Sequence, residues 1–400
     1  MAEGNEAKIW IAESDYEKRG EGLVEHTKDN SWGECVVADC TGSGPLLDHM
    51  VELGGHCVGG SSLMDHLESD RAFSSEVMDA CGIHQPDAKS FTDWESATEF
   101  IKATEEKLVF KPEGNLSGVV PSYCPSSNDE LLEAIDHFKV LCGPDDPQFT
   151  LQEFKEGTCV STEGWFDGET FLEPFNHTVE RKHFLNGDIG PSGGCTGNLV
   201  WPCEADPIVQ ATVLRLEDFL RKHQYRGAID VNAVVNEEGV WALEFTPRFG
   251  YDAFPTYLHG LYTGEFGRLL WDMSRGEAAK NMEVEDRFAA GVRLSIPPWP
   301  TEKFKAEKGI PIRGITRDAL NDRFYPYDVM TKDDNLVTSG GAGIVGVMNG
   351  WGDTIEEAFS EAYRRTRRAK ITDVQYRTDL EEVCTKDYKR LSRIMSGVLA

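Results

Sequence analysis

Glu244, Thr246 and Arg248 stand at every second position of one segment, and Asp230 precedes them by the length of a short hairpin. Before the turn, Ile229, Val231, Ala233 and Val235 alternate with Asp230, Asn232 and Val234, the period-two pattern of a strand with one buried face. A three-residue loop, Glu237-Glu238-Gly239, reverses the chain, and Val240 to Thr246 run back beside it. That register sets Asp230 opposite Thr246 and Asn232 opposite Glu244. Side chains two apart share a face, so Asp230, Glu244, Thr246 and Arg248 project together. Oxygen ligands of this kind suit Mg²⁺, which is usually held by one or two carboxylates and substrate phosphates. An arginine beside them suits a phosphate or a carboxylate. An ordinary amphipathic hairpin with a solvated acidic face fits the same pattern.

Three other segments carry cations or close-approach backbone. Lys111 ends the apolar run Val109-Phe110 and is followed by Gly114 and Gly118, which bound a candidate glycine loop. Arg181-Lys182-His183 precedes a second glycine-rich stretch, Gly190 to Gly197. Backbone amides in such stretches can approach an anion closely. Arg71 follows the acidic Glu68-Ser69-Asp70.

Strands and helices alternate in the segment that must position these groups. Strands are expected at Lys8 to Ala12, Glu34 to Ala38 and His56 to Val58, with a helix from Leu46 to Leu53, which implies a parallel arrangement. Further strands are expected at 108–111 and 149–154, and Ser126 to Glu130 cap a helix running to Phe138. Asp206-Pro207 opens a helix whose apolar face is Val209, Val213, Leu216 and Leu220. Beyond the acidic stretch 281–286 come a strand at 289–294, a turn at Pro297-Pro298-Trp299-Pro300, and a glycine-rich hairpin from Leu336 to Met348. Thr354 and Glu357 form a capping box.

In this order the segments resemble the ATP-grasp ligases, and within them the glycinamide ribonucleotide synthetases. Leu243-Glu244-Phe245-Thr246-Pro247-Arg248-Phe249-Gly250 is similar to the family's Glu-Phe-Asn-x-Arg-Phe-Gly segment, with Thr246 in place of asparagine. Leu67 to Phe73 resembles Leu-Glu-Gly-Ser-Lys-Ala-Phe, with Arg71 for lysine, and 109–114 resembles Val-Ile-Lys-Ala-Asp-Gly. The resemblance implies an α/β ATP-grasp fold: an N-terminal Rossmann-like domain at 1–67, the ATP-grasp domain at 68–283 with a glycine-loop subdomain at about 105–155, and a small α/β domain at 284–400. It implies ATP and Mg²⁺ (or Mn²⁺) as cofactors, with Arg71, Lys111 and Lys182 on the phosphates and Asp230, Glu244 and Thr246 on the metal. Gly114 and Gly118 would then cover the phosphates. Gln152, Glu153, Phe154 and Lys155 match the hinge whose backbone binds adenine. The family's ribose-binding glutamate is Cys159 here, which leaves Glu163 as a nearby substitute. Arg248 and Lys182 would act on the acyl phosphate formed when a carboxylate is activated for attack by an amine. The family pair is glycine and phosphoribosylamine. The family's amine-binding N-terminal loop is replaced by the acidic Glu13-Ser14-Asp15-Tyr16-Glu17. A nucleotide-binding ATP-grasp protein with a decayed catalytic site, an ATP-grasp ligase for a different amine and amino-acid pair, and an ATP-grasp phosphotransferase are the other functions this pattern allows.

Bulk composition narrows the classes. Four hundred residues imply two or three domains, and 40% hydrophobic with 27% charged residues describe a globular chain. A formal charge of −29 opposes a nucleic-acid surface. There is no run of eighteen apolar residues to span a membrane. Ten dispersed cysteines without zinc spacing, and a polar acidic start, lead us to expect reduced thiols in a cytoplasmic protein. Small-molecule substrates and a monomer or homodimer complete the expectation.

Overall fold

A computed structural model describes residues 35–116, 119–143, 146–301, 304–316 and 323–397. The strand expected at Lys8 to Ala12, the acidic loop after it and Gly118 lie outside the described residues.

The first described unit is small. β1 (Val36–Val37) and β2 (Cys57–Val58) are parallel, joined through α1 (Gly44–Glu52). Helices α2 (Ser62–Ser69) and α3 (Arg71–Cys81) follow, and Asp70 both ends α2 and caps α3 by accepting from the Phe73 amide. That cap fixes Arg71 as the first residue of α3.

A three-stranded unit comes next: β3 (Ala88–Phe91), α4 (Trp94–Ala103), β4 (Leu108–Pro112), α5 (Asn128–Cys142) and β5 (Phe149–Glu153). Its strands are antiparallel in the order β3-β5-β4. Phe91, Trp94, Phe110, Phe138 and Phe149 stack in its core, each contributing roughly 1.5–3 kcal/mol by burial. Strand alternation that buries Phe110 turns Lys111 to the other face, beside Thr150 of β5.

The large sheet uses β6 (Thr158–Phe166), β7 (Phe171–Leu185) and β8 (Ile189–Cys203), then, past α6 (Pro207–Ala211) and α7 (Glu217–Lys222), the hairpin β9 (Gly227–Asn236) and β10 (Gly239–Thr246). Helices α8 (Ala253–Gly260) and α9 (Phe266–Arg275) precede β11 (Phe288–Ser295) and β12 (Phe324–Pro326). The ribbon β13 (Val329–Lys332) and β14 (Asn335–Thr338), then β15 (Ile344–Gly352), α10 (Ile355–Thr366) and α11 (Leu380–Gly397) finish the described chain. Eight strands pair in the order β10-β9-β6-β7-β8-β11-β15-β12, all neighbours antiparallel. The sheet therefore runs from the Asp230 hairpin into residues 288–352.

One face of this sheet is apolar. Val160, Val179, Leu199, Ala233 and Val292 pack there against Phe359, Tyr363, Leu391 and Ile394 of α10 and α11. The opposite face is covered at one end by α8, where Phe254 and Tyr257 meet Trp165. Elsewhere that face carries a row of polar side chains, which is where the candidate site lies.

Three expectations change in detail. The glycine-rich stretch 190–197 is not a free loop: it is the first half of β8, paired to β7 through His183–Ser192 and Arg181–Gly197. Leu336 to Met348 is not a hairpin, since β14 pairs with β13 while β15 joins the large sheet. Asp328 holds that turn by accepting from the Gly343 amide at 2.7 Å. The helix opened by Asp206 breaks at Thr212, whose hydroxyl donates to the Ile208 carbonyl, yet Val209, Val213, Leu216 and Leu220 remain fully buried.

Candidate active site

The β9–β10 hairpin turns tighter than its sequence suggests. Asn236 pairs directly with Gly239, so the turn holds two residues, and the Asn236 side chain accepts from the Glu238 and Gly239 amides. A bulge at Leu243 adds the missing residue. Beyond it Asn232 faces Glu244 and Asp230 faces Thr246, the register expected from sequence. The Asn232 amide donates to Asp230 Oδ1 at 3.0 Å and to Thr246 Oγ1 at 3.4 Å. Four oxygen-bearing side chains thus meet on one face.

Acids gather behind them. Glu163 of β6 is the register partner of Asp230 and is nearly sealed from solvent. Its carboxylate accepts from the Trp165 indole at 3.1 Å, and it lies buried beside Asp230, whereas Cys159, at the family's ribose position, is exposed. Burial pushes Glu163 up to about 7, with the Trp165 and Gly250 hydrogen bonds opposing. Burial also drives Asp230 well above the ordinary aspartate value, reinforced by the charges of Glu163 and Glu180.

Cations gather in front. Lys182 Nζ lies 3.7 Å from Glu244 Oε1. Burial works to raise the Glu244 carboxyl, but Lys182, Lys111 and Arg71 overcome it and hold Glu244 below its usual value. Lys111 is pulled down by burial, Glu244 opposing and the Arg71 and Lys182 charges adding to the fall. The three cations therefore share one carboxylate across the gap between the small sheet and the hairpin. A cavity of about 290 Å³ fills that gap, lined by Arg71, Lys111, Gln152, Glu113, Glu68 and Glu244.

Glu153, Phe154 and Lys155 line a neighbouring recess of about 420 Å³ at the turn of the hairpin. There Lys155 Nζ bonds Glu153 at 2.6 Å and lies over the Trp241 ring, while Lys107 covers Phe154. Cys159 is exposed on β6. Arg248 is engaged: its Nη2 donates to Glu68 at 2.7 Å, and its guanidinium stacks on Tyr251 at 4.3 Å. Gly114 follows β4 with φ +47°, and a Cβ there would fall 1.7 Å from Gln148 Oε1. Gly114→Ala should accordingly lower the melting temperature by several degrees, since left-handed strain of about 1–2 kcal/mol adds to the clash; an unchanged thermal midpoint would refute this.

Glu68, Glu180, Asp252 and Arg293 were not anticipated from sequence as site residues. A single arginine inside the apolar run Ala289 to Ile296 was the available signal for Arg293. A separate group, His177, Cys203 and Asp206, lies behind the sheet's apolar face. Its ring is already hydrogen-bonded to Asp206 at 2.9 Å and to Thr162 at 3.0 Å, and Asp206 caps α6. All ten cysteines are free thiols, and among the described residues no helix is long and apolar enough to cross a membrane.

The raised acids make a pH prediction. Glu163 keeps its proton in the fold up to about pH 7, whereas the unfolded chain releases it near 4.5. Between these values the folded state binds more protons, so metal-free stability falls as pH rises and levels off above 7. Glu163→Gln should remove the share of that fall owed to Glu163, stabilising the metal-free protein at pH 8 by up to about 3 kcal/mol and little at pH 4. Urea melts of both proteins in EDTA at the two pH values would check it; equal gains at both would contradict the assignment.

Comparison with known proteins agrees with this geometry. Residues 69–253 match the model of the phosphoribosylglycinamide synthetase ATP-grasp (A) domain. The phosphoribosylamine–glycine ligase of Caldanaerobacter subterraneus subsp. tengcongensis is 25% identical over 350 residues, covering 84% of this chain and 81% of the relative. That of Streptomyces coelicolor is 27% identical over 352 residues, covering 84% and 80%. The crystal structure of phosphoribosylamine–glycine ligase from Thermotoga maritima superposes with a TM-score of 0.66 at 23% identity, covering 89% of this chain and 88% of that one. The cleft between a small three-stranded sheet and a large antiparallel one is thus the cleft of an ATP-grasp fold, and the segment that is similar to the phosphoribosylglycinamide synthetase ATP-grasp (A) domain, residues 69–253, holds both of its walls.

Proposed function

We propose that this protein is an ATP-dependent carboxylate–amine ligase that works through an acyl phosphate. The observation that carries this reading is the convergence of Arg71, Lys111 and Lys182 on Glu244, with buried Asp230 beside it. Three cations at the mouth of a cleft suit a triphosphate. The backbone of Gln152 to Lys155 would hold the adenine, and Gly114 would edge the phosphate cover.

The donor set fits a hard divalent cation. Asp230 is buried among Glu163 and Glu180, an arrangement a cation would relieve. Asp230, Glu244 and Thr246, with Asn232 bracing them, would hold Mg²⁺ or Mn²⁺. Bound there, the ion supplies charge neutralisation at the transferring phosphoryl group. Lys182 is free to leave Glu244 for a phosphate oxygen. Arg248 would exchange Glu68 for the acyl phosphate and hold it for the incoming amine. An acyl phosphate formed there would have to be shielded from water.

The names of the relatives make glycine and phosphoribosylamine the first pair to assay, in a cytoplasmic, small-molecule setting. ADP release should depend on ATP, Mg²⁺ and one carboxylate, and hydroxylamine should trap that carboxylate as its hydroxamate. Tight ATP binding without ADP release, across a panel of carboxylates and amines, would refute the ligase and leave a nucleotide-binding protein.

A further inference from the structure

Arg293 lies on β11, outside the matched ATP-grasp segment, and is almost wholly buried. Its Nε and Nη2 donate to the two oxygens of Asp252 at 2.7 and 2.6 Å, and Asp252 is fully buried. Its Nη1 donates to the Gly193 carbonyl at 2.9 Å, in the glycine-rich half of β8. The Trp299 ring covers the guanidinium at 5.3 Å and leaves no room for a side chain at residue 193, where a Cβ would fall 2.4 Å from it. One planar fork therefore ties the Asp252 carboxylate to the Gly193 backbone, a geometry an ammonium does not reproduce.

Both partners lead to the site. Asp252 is four residues past Arg248, and between them Tyr251 stacks on the Arg248 guanidinium. Tyr327 pins that turn by donating to the Tyr251 carbonyl at 2.8 Å. On the other side, the Gly193 arm pairs back to β7, the strand of Glu180 and Lys182. Charge continuity follows the same path: Glu180 feels Lys182, Asp252, Arg293 and Glu244.

We propose that Arg293 is a positioning residue for ligation, fixing the glycine-rich arm and the Arg248 turn at the separation the activated carboxylate requires. Its hydrogen bonds go to Asp252 and Gly193 and to none of the residues assigned to nucleotide or metal, so it would govern the second half of the site and leave MgATP binding alone. The proposal rests on the ligase reading above, and its test separates the two.

The test uses full-length wild type, Arg293→Gln and Arg293→Lys. Wild type is first screened for carboxylate-dependent hydroxamate with MgATP and hydroxylamine; a blank here removes the ligase reading and leaves the loop arm of the test standing. In Arg293→Gln, KM for the active carboxylate should rise and kcat fall, each about tenfold or more, while the Kd for MgATP stays within about twofold of wild type. Amides of 193–197 and 250–252 should exchange with deuterium about tenfold faster. Arg293→Lys keeps the charge beside Asp252, restores thermal stability and recovers only part of kcat. If Arg293→Gln does not fold, the lysine variant alone decides: native KM, kcat and exchange would overturn the proposal. So would a folded Arg293→Gln with unchanged carboxylate KM and unchanged exchange, or one whose main defect is in MgATP affinity.

Discussion

Asp230→Asn should cut MgATP-dependent ADP release by roughly 10²–10³-fold, the scale on which preorganised charge at a transferring group matters. The substitution keeps the size of the side chain and removes only its charge. In the metal-free fold that charge is unwelcome, because burial and the neighbouring Glu163 and Glu180 drive the carboxyl toward its neutral form. Metal-free Asp230→Asn should therefore be at least as stable as wild type, while Mg²⁺ no longer raises its melting temperature. Opposite signs for stability and turnover mark a residue kept for a cation. Turnover within a few-fold of wild type, or a large loss of metal-free stability, would refute that role.

Lys182→Met should lower turnover by about 10²-fold, with a weaker effect on folding because the ammonium is half exposed. Lys182 is the leading counter-charge of Glu244, ahead of Lys111 and Arg71. Without it the Glu244 carboxyl rises and the triphosphate loses one of three cations. Lys182→Arg restores charge but places a broad planar group where a compact one lies 3.7 Å from Glu244, so recovery should be partial. Isothermal titration with MgATP and steady-state ADP release separate binding from turnover; equal kinetics for Lys182→Met and wild type would contradict the assignment.

Much of this was legible before any coordinates, for local reasons. Period-two alternation about Asp230 is a property of the strand itself, and it carried the pairing with Thr246 even though the turn was one residue shorter. The bulge at Leu243 compensated, and nothing in Ala242-Leu243-Glu244 announces a bulge. Lys111 was readable because Phe110 beside it had to be buried.

What was not legible depends on contacts distant in sequence. Glu68 meets Arg248 180 residues away, and Asp252 meets Arg293 41 residues away. The first pairing depends on α2 packing beside β10, and the second on α8 packing against β11. The same holds for the glycine-rich stretch 190–197: by composition it reads as a loop, but the β7 ladder holds it extended. Glu163 was offered by the resemblance only as an acid near Cys159, and its register with Asp230, which buries it, was not readable from sequence.

The most direct measurement is the anomalous scattering of Mn²⁺ in crystals grown with a non-hydrolysable ATP analogue. A manganese peak contacting both Asp230 and Glu244, with the terminal phosphates between Lys111 and Lys182, is the predicted result. Manganese remote from that hairpin, or a nucleotide bound outside the cleft beside Gln152, would contradict the account.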